Sequence, residues 1–143
     1  MEARFLLDTN ICIYIRQKRP EAVLRRFSGL RPGEAVLSVV TFGELVYGAE
    51  KSLQRGQALK RLQELAGLLP VMGLPETAGA TYGKLRAELE RKGRMIGNND
   101  LWIAAHAKAA GLTLVTNNER EFRRVGGLHV VNWAVQEARG VGD

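Results

Sequence analysis

Three acids lie far apart in the chain, and each stands beside an apolar run. Asp8 directly follows Phe5-Leu6-Leu7, Glu44 comes soon after Ala35-Val36-Leu37-Ser38, and Asp100 opens the apolar stretch 101–110. A fourth polar group, Asn117, Asn118, Glu119 and Glu121, follows the run at 113–116. Carboxylates about 4 Å apart repel by roughly 1 kcal/mol in water and about 4 kcal/mol at an intermediate effective dielectric. Brought together, such groups persist by holding protons at raised pKa or by binding a cation. Hard oxygen donors suit Mg²⁺ or Mn²⁺ far better than zinc. An ion held in that way can activate a water and neutralise the charge building on a phosphate in transfer.

Each acid also has a purely local reading. Asp8-Thr9-Asn10 fits an Asx turn or helix cap. Thr41-x-x-Glu44 fits a capping box. Asn98-Asn99-Asp100 fits a cap with a carboxylate near the positive end of a helix. Taken singly, the first two favour capping. Capping leaves unexplained why no lysine or arginine stands close in sequence to the three acids.

The elements that must position these residues alternate between short β-like runs and longer helical patterns, the mark of an α/β domain with a mainly parallel sheet. Strands are predicted at 5–7, 35–38, about 69–72, 113–116 and 129–132. Helices are predicted at 11–16, after Pro20 (carrying Val23, Leu24 and Phe27), at 41–49, along Leu59, Leu62 and Leu65, at 77–92, and at 101–110, stopped by Gly111. In an open parallel sheet, functional groups gather beyond the carboxyl ends of the strands. All four acidic segments then reach the same rim.

The 143 residues are expected to form one domain, 1–143, with no repeat or linker dividing them. Lys and Arg number 21 against 15 Asp and Glu, and the resulting +6 favours a polyanionic partner such as nucleic acid. No apolar run approaches the roughly 18 residues of a membrane span. The N-terminus does not read as a signal peptide, and a single cysteine, Cys12, excludes an internal disulfide framework and a multi-cysteine zinc site. The expected compartment is the cytoplasm. Two histidines, His106 and His129, without a nucleophile-elbow pattern give little support to a serine or cysteine hydrolase, and no P-loop or dinucleotide glycine motif is present. His106, Cys12 and Tyr82 read as packing residues. Arg91, Lys92 and Arg94 read equally as RNA contacts or as a solvated helix end.

Taken in order, these segments resemble the PIN-domain ribonucleases, most closely the VapC toxins of bacterial toxin–antitoxin pairs. Leu6-Leu7-Asp8-Thr9-Asn10-Ile11-Cys12-Ile13-Tyr14 resembles the opening motif. The stretch from Ser38 to Leu45, continuing into Tyr47-Gly48-Ala49, resembles the second. Arg86-Ala87-Glu88-Leu89 and Gly97-Asn98-Asn99-Asp100, running into Ile103-Ala104-Ala105-His106-Ala107, resemble the third. Leu114-Val115-Thr116-Asn117-Asn118, with Glu121-Phe122 and Val125, resembles the fourth. The resemblance extends to Asn132-Trp133 and implies a three-layer α/β/α fold with a mainly parallel sheet of four to five strands.

It also implies an endoribonuclease dependent on Mg²⁺ or Mn²⁺, with Asp8, Glu44 and Asp100 as metal ligands. Many members carry an aspartate where this chain has Asn118, so Glu121 becomes the candidate fourth acid. Glu119 and Glu121 cannot both face one site from a single helical turn. Thr116, with Asn118 beside it, is a candidate to support the ligands. Implied partners are a cognate VapB-type antitoxin, a second copy of the chain in a homodimer, and transfer or ribosomal RNA loops, with the anticodon loop of initiator transfer RNA suggested by the enteric-like branch. Two other readings of the acids are a metal-dependent phosphohydrolase of small esters and a non-catalytic RNA-binding module.

Overall fold

A computed structural model describes residues 2–135. Five strands, β1 (Phe5–Leu7), β2 (Ala35–Ser38), β3 (Val71–Met72), β4 (Thr113–Val115) and β5 (Val130–Val131), form one sheet in the order β3-β2-β1-β4-β5. Every pairing is parallel, with Leu6 opposite both Val36 and Leu114. The helices are α1 (Thr9–Gln17), α2 (Glu21–Ser28), α3 (Val39–Glu50), α4 (Arg55–Leu68), α5 (Ala78–Arg91), α6 (Asn98–Ala110) and α7 (Glu119–Phe122).

Side chains alternate across a strand, so adjacent residues enter different cores. Leu6, Val36 and Leu114 pack with α5, α6, Phe122 and Val125 on one face. Leu7, Ala35, Leu37 and Val115 pack with Ile11, Ile15, Val23, Leu45, Leu62 and Leu65 on the other. Two helical layers thus enclose the sheet, as the expected three-layer α/β/α architecture requires. Because both faces are covered, the strands are apolar throughout rather than alternating.

Two boundaries moved for identifiable reasons. Leu69, expected in a strand, instead closes α4: its N–H bonds the Leu65 carbonyl at 2.8 Å, and its side chain is fully buried beside Leu62 and Leu65. The third strand is thereby reduced to Val71–Met72, both exposed at the sheet edge. Helix α3 starts at Val39, because Ser38 caps it by accepting from the Val40 N–H at 3.1 Å. The expected capping box Thr41-x-x-Glu44 does not form. Thr41 lies inside α3 with its hydroxyl buried and unpartnered, and Glu44 falls in the second turn rather than the opening one. Gly111 does end α6, in the left-handed conformation at φ 68°. Among the described residues no helix is long and apolar enough to cross a membrane.

Candidate active site

The chain runs from β1 outward through β2 to β3, then returns to lay β4 on the other side of β1. Strand order reverses between β1 and β4, and the crevice beyond their carboxyl ends is where open α/β sheets place ligands. Asp8 follows β1 and Thr116 follows β4, so the two meet across this switch point. The Asp8 N–H continues the ladder to the Val115 carbonyl at 3.0 Å. Its Oδ1 accepts from the Ile11 N–H at 3.1 Å, capping α1, while its Oδ2 accepts a short hydrogen bond from the Thr116 hydroxyl. The cap reading of Asp8 is therefore correct and leaves the acid at the crevice. Burial raises its pKa, hydrogen bonds from Thr116 and Ile11 oppose that, and the charge of Glu44 adds to the rise.

Glu44 reaches the same place from α3. Its Oε1 accepts from the Thr9 hydroxyl at 2.6 Å and its Oε2 from the Asn99 amide at 3.3 Å. Asp100 stands in the first turn of α6, whose N-cap is Gly97; none of Asn98, Asn99 and Asp100 forms the side-chain cap that their order suggests. Half-buried, Asp100 shares a hydrogen bond with Glu121 from α7. Burial first, then that shared bond and the charges of Glu121, Glu44 and Asp8, push its carboxyl up to about 8. Glu121 Oε1 is buried with no donor facing it.

Glu119 points elsewhere, accepting from Arg123 at 2.8 Å and from Asn132 at 3.1 Å. Asn118 contributes its backbone N–H to the Thr116 hydroxyl oxygen at 2.9 Å, which fixes the threonine that holds Asp8. Asp8, Glu44, Asp100 and Glu121 are thus gathered, Thr116 and Asn118 support them, and Glu119 is excluded.

Thr9 and Asn99 were missed as functional candidates. Thr9 was read only as part of a turn and Asn99 only as part of a cap, and nothing in their spacing says that both will grip a glutamate from α3. His106, buried, bonds through Nδ1 to Ser38 Oγ at 2.9 Å, and burial lowers its pKa, as befits a neutral packed imidazole. Cys12 lies in the core, its thiol pushed upward by burial. Tyr82 is half-buried, stacked on Trp102 at 3.9 Å, with its hydroxyl on Asn98.

None of the four gathered acids has an ion-pair partner among the described residues. The residues fit a hard divalent cation on three counts. The donors are all carboxylate oxygens, one of them is buried without a partner, and burial and then the neighbouring acids drive Asp100 to hold a proton. Among the described residues no three acidic, histidine or cysteine side chains stand around one point as a finished cage. The closest association is the Asp100–Glu121 pair, with Asp8 and Glu44 within electrostatic reach.

Residues 5–128 match the PIN domain family. The tRNA(fMet)-specific endonuclease VapC of Shigella flexneri is 44% identical over 131 residues, covering 92% of this chain and 98% of that one. Ribonuclease VapC2 of Haemophilus influenzae is 41% identical over 130 residues, covering 91% and 98%. The crystal structure of DNA-bound VapBC from Salmonella typhimurium superposes with a TM-score of 0.86 at 40% identity, covering 92% of this chain and 98% of that one. The chain belongs to the PIN-domain family and, within it, to the VapC ribonucleases.

Proposed function

We propose that this protein is a Mg²⁺- or Mn²⁺-dependent endoribonuclease, the toxin of a toxin–antitoxin pair, and that it cuts initiator transfer RNA in the anticodon loop. The observation that carries the reading is the meeting of Asp8, Glu44, Asp100 and Glu121 at the sheet's switch point with no ion-pair partner among the described residues. Asp8, Glu44 and Asp100 would hold the cation, with Glu121 as the fourth acid. A bound divalent cation supplies an activated water and neutralises charge on the phosphate.

The chain's own residues do the rest. Thr116 and the N-terminus of α1 hold the Asp8 carboxylate in one orientation, and Thr9 and Asn99 do the same for Glu44. Such supporting hydrogen bonds are what orient ligands in a metal site. The proton held on Asp100 must leave as a cation arrives, so cation affinity rises with pH through about 8. The net basic balance of the chain draws RNA to an otherwise repellent acidic pocket. An exposed loop suits such an enzyme, because unstacked bases and a splayed backbone can enter a crevice that a duplex cannot.

The substrate reading is supported by the specificity in the name of the Shigella relative. The antitoxin reading is supported by the VapBC composition of structural relatives from Salmonella typhimurium and Rickettsia felis. We place the enzyme in the cytoplasm, where transfer RNA is used, as a homodimer held inactive by its antitoxin.

The test is cleavage of initiator and elongator transfer RNAs by purified protein with Mg²⁺, with Mn²⁺ and with chelator, mapping the ends produced. The expected result is a cation-dependent cut confined to the initiator anticodon loop, reduced at least about a hundredfold by Asp8→Asn or Asp100→Asn. Cleavage that survives both substitutions and the chelator overturns the reading. So does rapid turnover of a small phosphoester with RNA left intact.

A further inference from the structure

Beside Glu44 opens a groove of about 300 Å³ between α1, α3 and α4. From α1 it is lined by Thr9, Ile13 and Arg16, at spacings of four and three that place them on one helical face. From α3 it is lined by Glu44 and Gly48, one turn apart on one face, from the turn after α3 by Ser52, and from α4 by Arg61. Both faces start at the 2.6 Å contact between Thr9 and Glu44 and recede from it. With a rise of 1.5 Å per residue, Arg16 stands about 10 Å along α1 from Thr9.

The groove therefore joins two kinds of charge. At one end is an acid of the candidate metal site. Also lining it are two guanidiniums, Arg16 farther along α1 and Arg61 on α4, neither of which has a carboxylate partner among the described residues. Local sequence does not force this. Arg55, at the first position of α4, is closed onto Glu50 at 2.5 Å. A guanidinium left open beside a groove presents a planar fork of donors that matches phosphate oxygens. Gly48 and the neighbouring Ala49 and Ala58 add little bulk to its walls.

We propose that Arg16 and Arg61 bind a backbone phosphate of the RNA neighbouring the one that is cut, so that this groove carries one arm of the substrate strand away from the acids. The proposal rests on the ribonuclease reading and extends it by naming a phosphate subsite. A strand whose scissile phosphate sits at the acids has this groove as a direct continuation, with two guanidiniums among its lining side chains.

The experiment measures binding of initiator transfer RNA to a cleavage-dead Asp100→Asn protein over a range of salt concentrations. Arg16→Gln and Arg61→Gln are added singly and together, and Arg25→Gln, whose arginine pairs with Glu21 on exposed α2, serves as control. Each groove substitution is expected to weaken binding about five- to tenfold at low salt and to flatten the log–log salt slope by about 0.7 to 1, the mark of one lost phosphate contact. Arg61→Lys should retain most of the slope, because the charge remains. The control should change neither quantity.

Kinetics of cleavage in the otherwise wild-type enzyme should show the loss mainly in KM. A double variant with unchanged affinity and unchanged slope overturns the proposal. Full RNA binding combined with loss of binding to a protein partner overturns it in favour of protein docking. If the wild-type enzyme cuts RNA and the double variant cuts it with the same KM, only the subsite falls. If the wild-type enzyme neither binds nor cuts RNA, the ribonuclease reading falls with it.

Discussion

Acids at the carboxyl edge of the sheet and acids on the outer helices are treated in opposite ways by the same fold. On the outside, Glu21, Glu34, Glu50, Glu90 and Glu119 each face an arginine at 2.5–3.2 Å. For Glu50 and Glu119 those arginine hydrogen bonds draw the pKa below the usual carboxylate range, and for Glu34 the Arg31 backbone N–H does so first, with Arg4 adding to it. At the crevice, Asp8 and Asp100 move the other way, driven first by burial, with the charge of Glu44 adding to the rise in Asp8 and Glu121, Glu44 and Asp8 adding to that in Asp100. The contrast is sharpest on α7, where Glu119 is ion-paired and Glu121, two residues later, lies against Asp100. Exposed pairs of the first kind are worth at most about 1 kcal/mol and are easily dispensed with. A buried cluster of like charge costs stability and persists where something positive is to be bound.

Breaking the comparison on α7 should give the largest effect. Glu121→Gln is expected to reduce RNA cleavage about a hundredfold or more, whereas Glu119→Gln should leave the rate within about twofold and lower stability by less than about 1 kcal/mol. Equal losses from the two substitutions would show that position on the turn is not what assigns the role. Next comes support for Asp8. Thr116→Val keeps the shape but removes the hydroxyl, and should lower activity or cation affinity about 10- to 100-fold. Titration with Mn²⁺ and a rate assay on the same samples check both quantities.

A smaller effect sharpens the thermodynamic side. Cation at about 100 times its dissociation constant should stabilise the fold by about 2.7 kcal/mol. Thermal unfolding should show a rise of several degrees for the wild type and none for Asp100→Asn.

Last comes the pH dependence without cation, where solvent screening of the half-buried Asp100 reduces the effect. Unfolded, the Asp100 carboxyl releases its proton near 3.8; folded, it holds it to about 8. Between those values the folded state binds the extra proton, so stability falls as pH rises through that window and the loss is complete above about 8. Asp8, also raised, contributes with the same sign. Chemical denaturation at a series of pH values should show this slope, and Asp100→Asn should flatten it.

Much of this organisation is written locally. Strands β1, β2 and β4 are legible because parallel strands covered on both faces must be apolar runs, and α6 is legible because it is apolar on most sides and ends at a glycine. The weaker elements are those whose limits depend on neighbours. Leu69 reads as strand until α4 is seen to need it for its buried face, and Thr41 reads as a cap until Ser38 takes that place. Both errors arise because two local patterns compete for one residue and packing decides between them.

The sequence by itself determined that Asp8, Glu44 and Asp100 come from segments ending at strand edges, since periodicity and turn residues act over a few positions. It also determined that a choice existed between Glu119 and Glu121, because a helical turn separates them by angle. Only the tertiary structure decided that choice, by bringing Arg123 and Asn132 to Glu119 and Asp100 to Glu121. It alone placed Thr9 and Asn99 on Glu44 and left Arg16 and Arg61 open beside the groove. These are contacts across as many as 55 positions of chain, set by how helices pack on a sheet, and no local pattern encodes them.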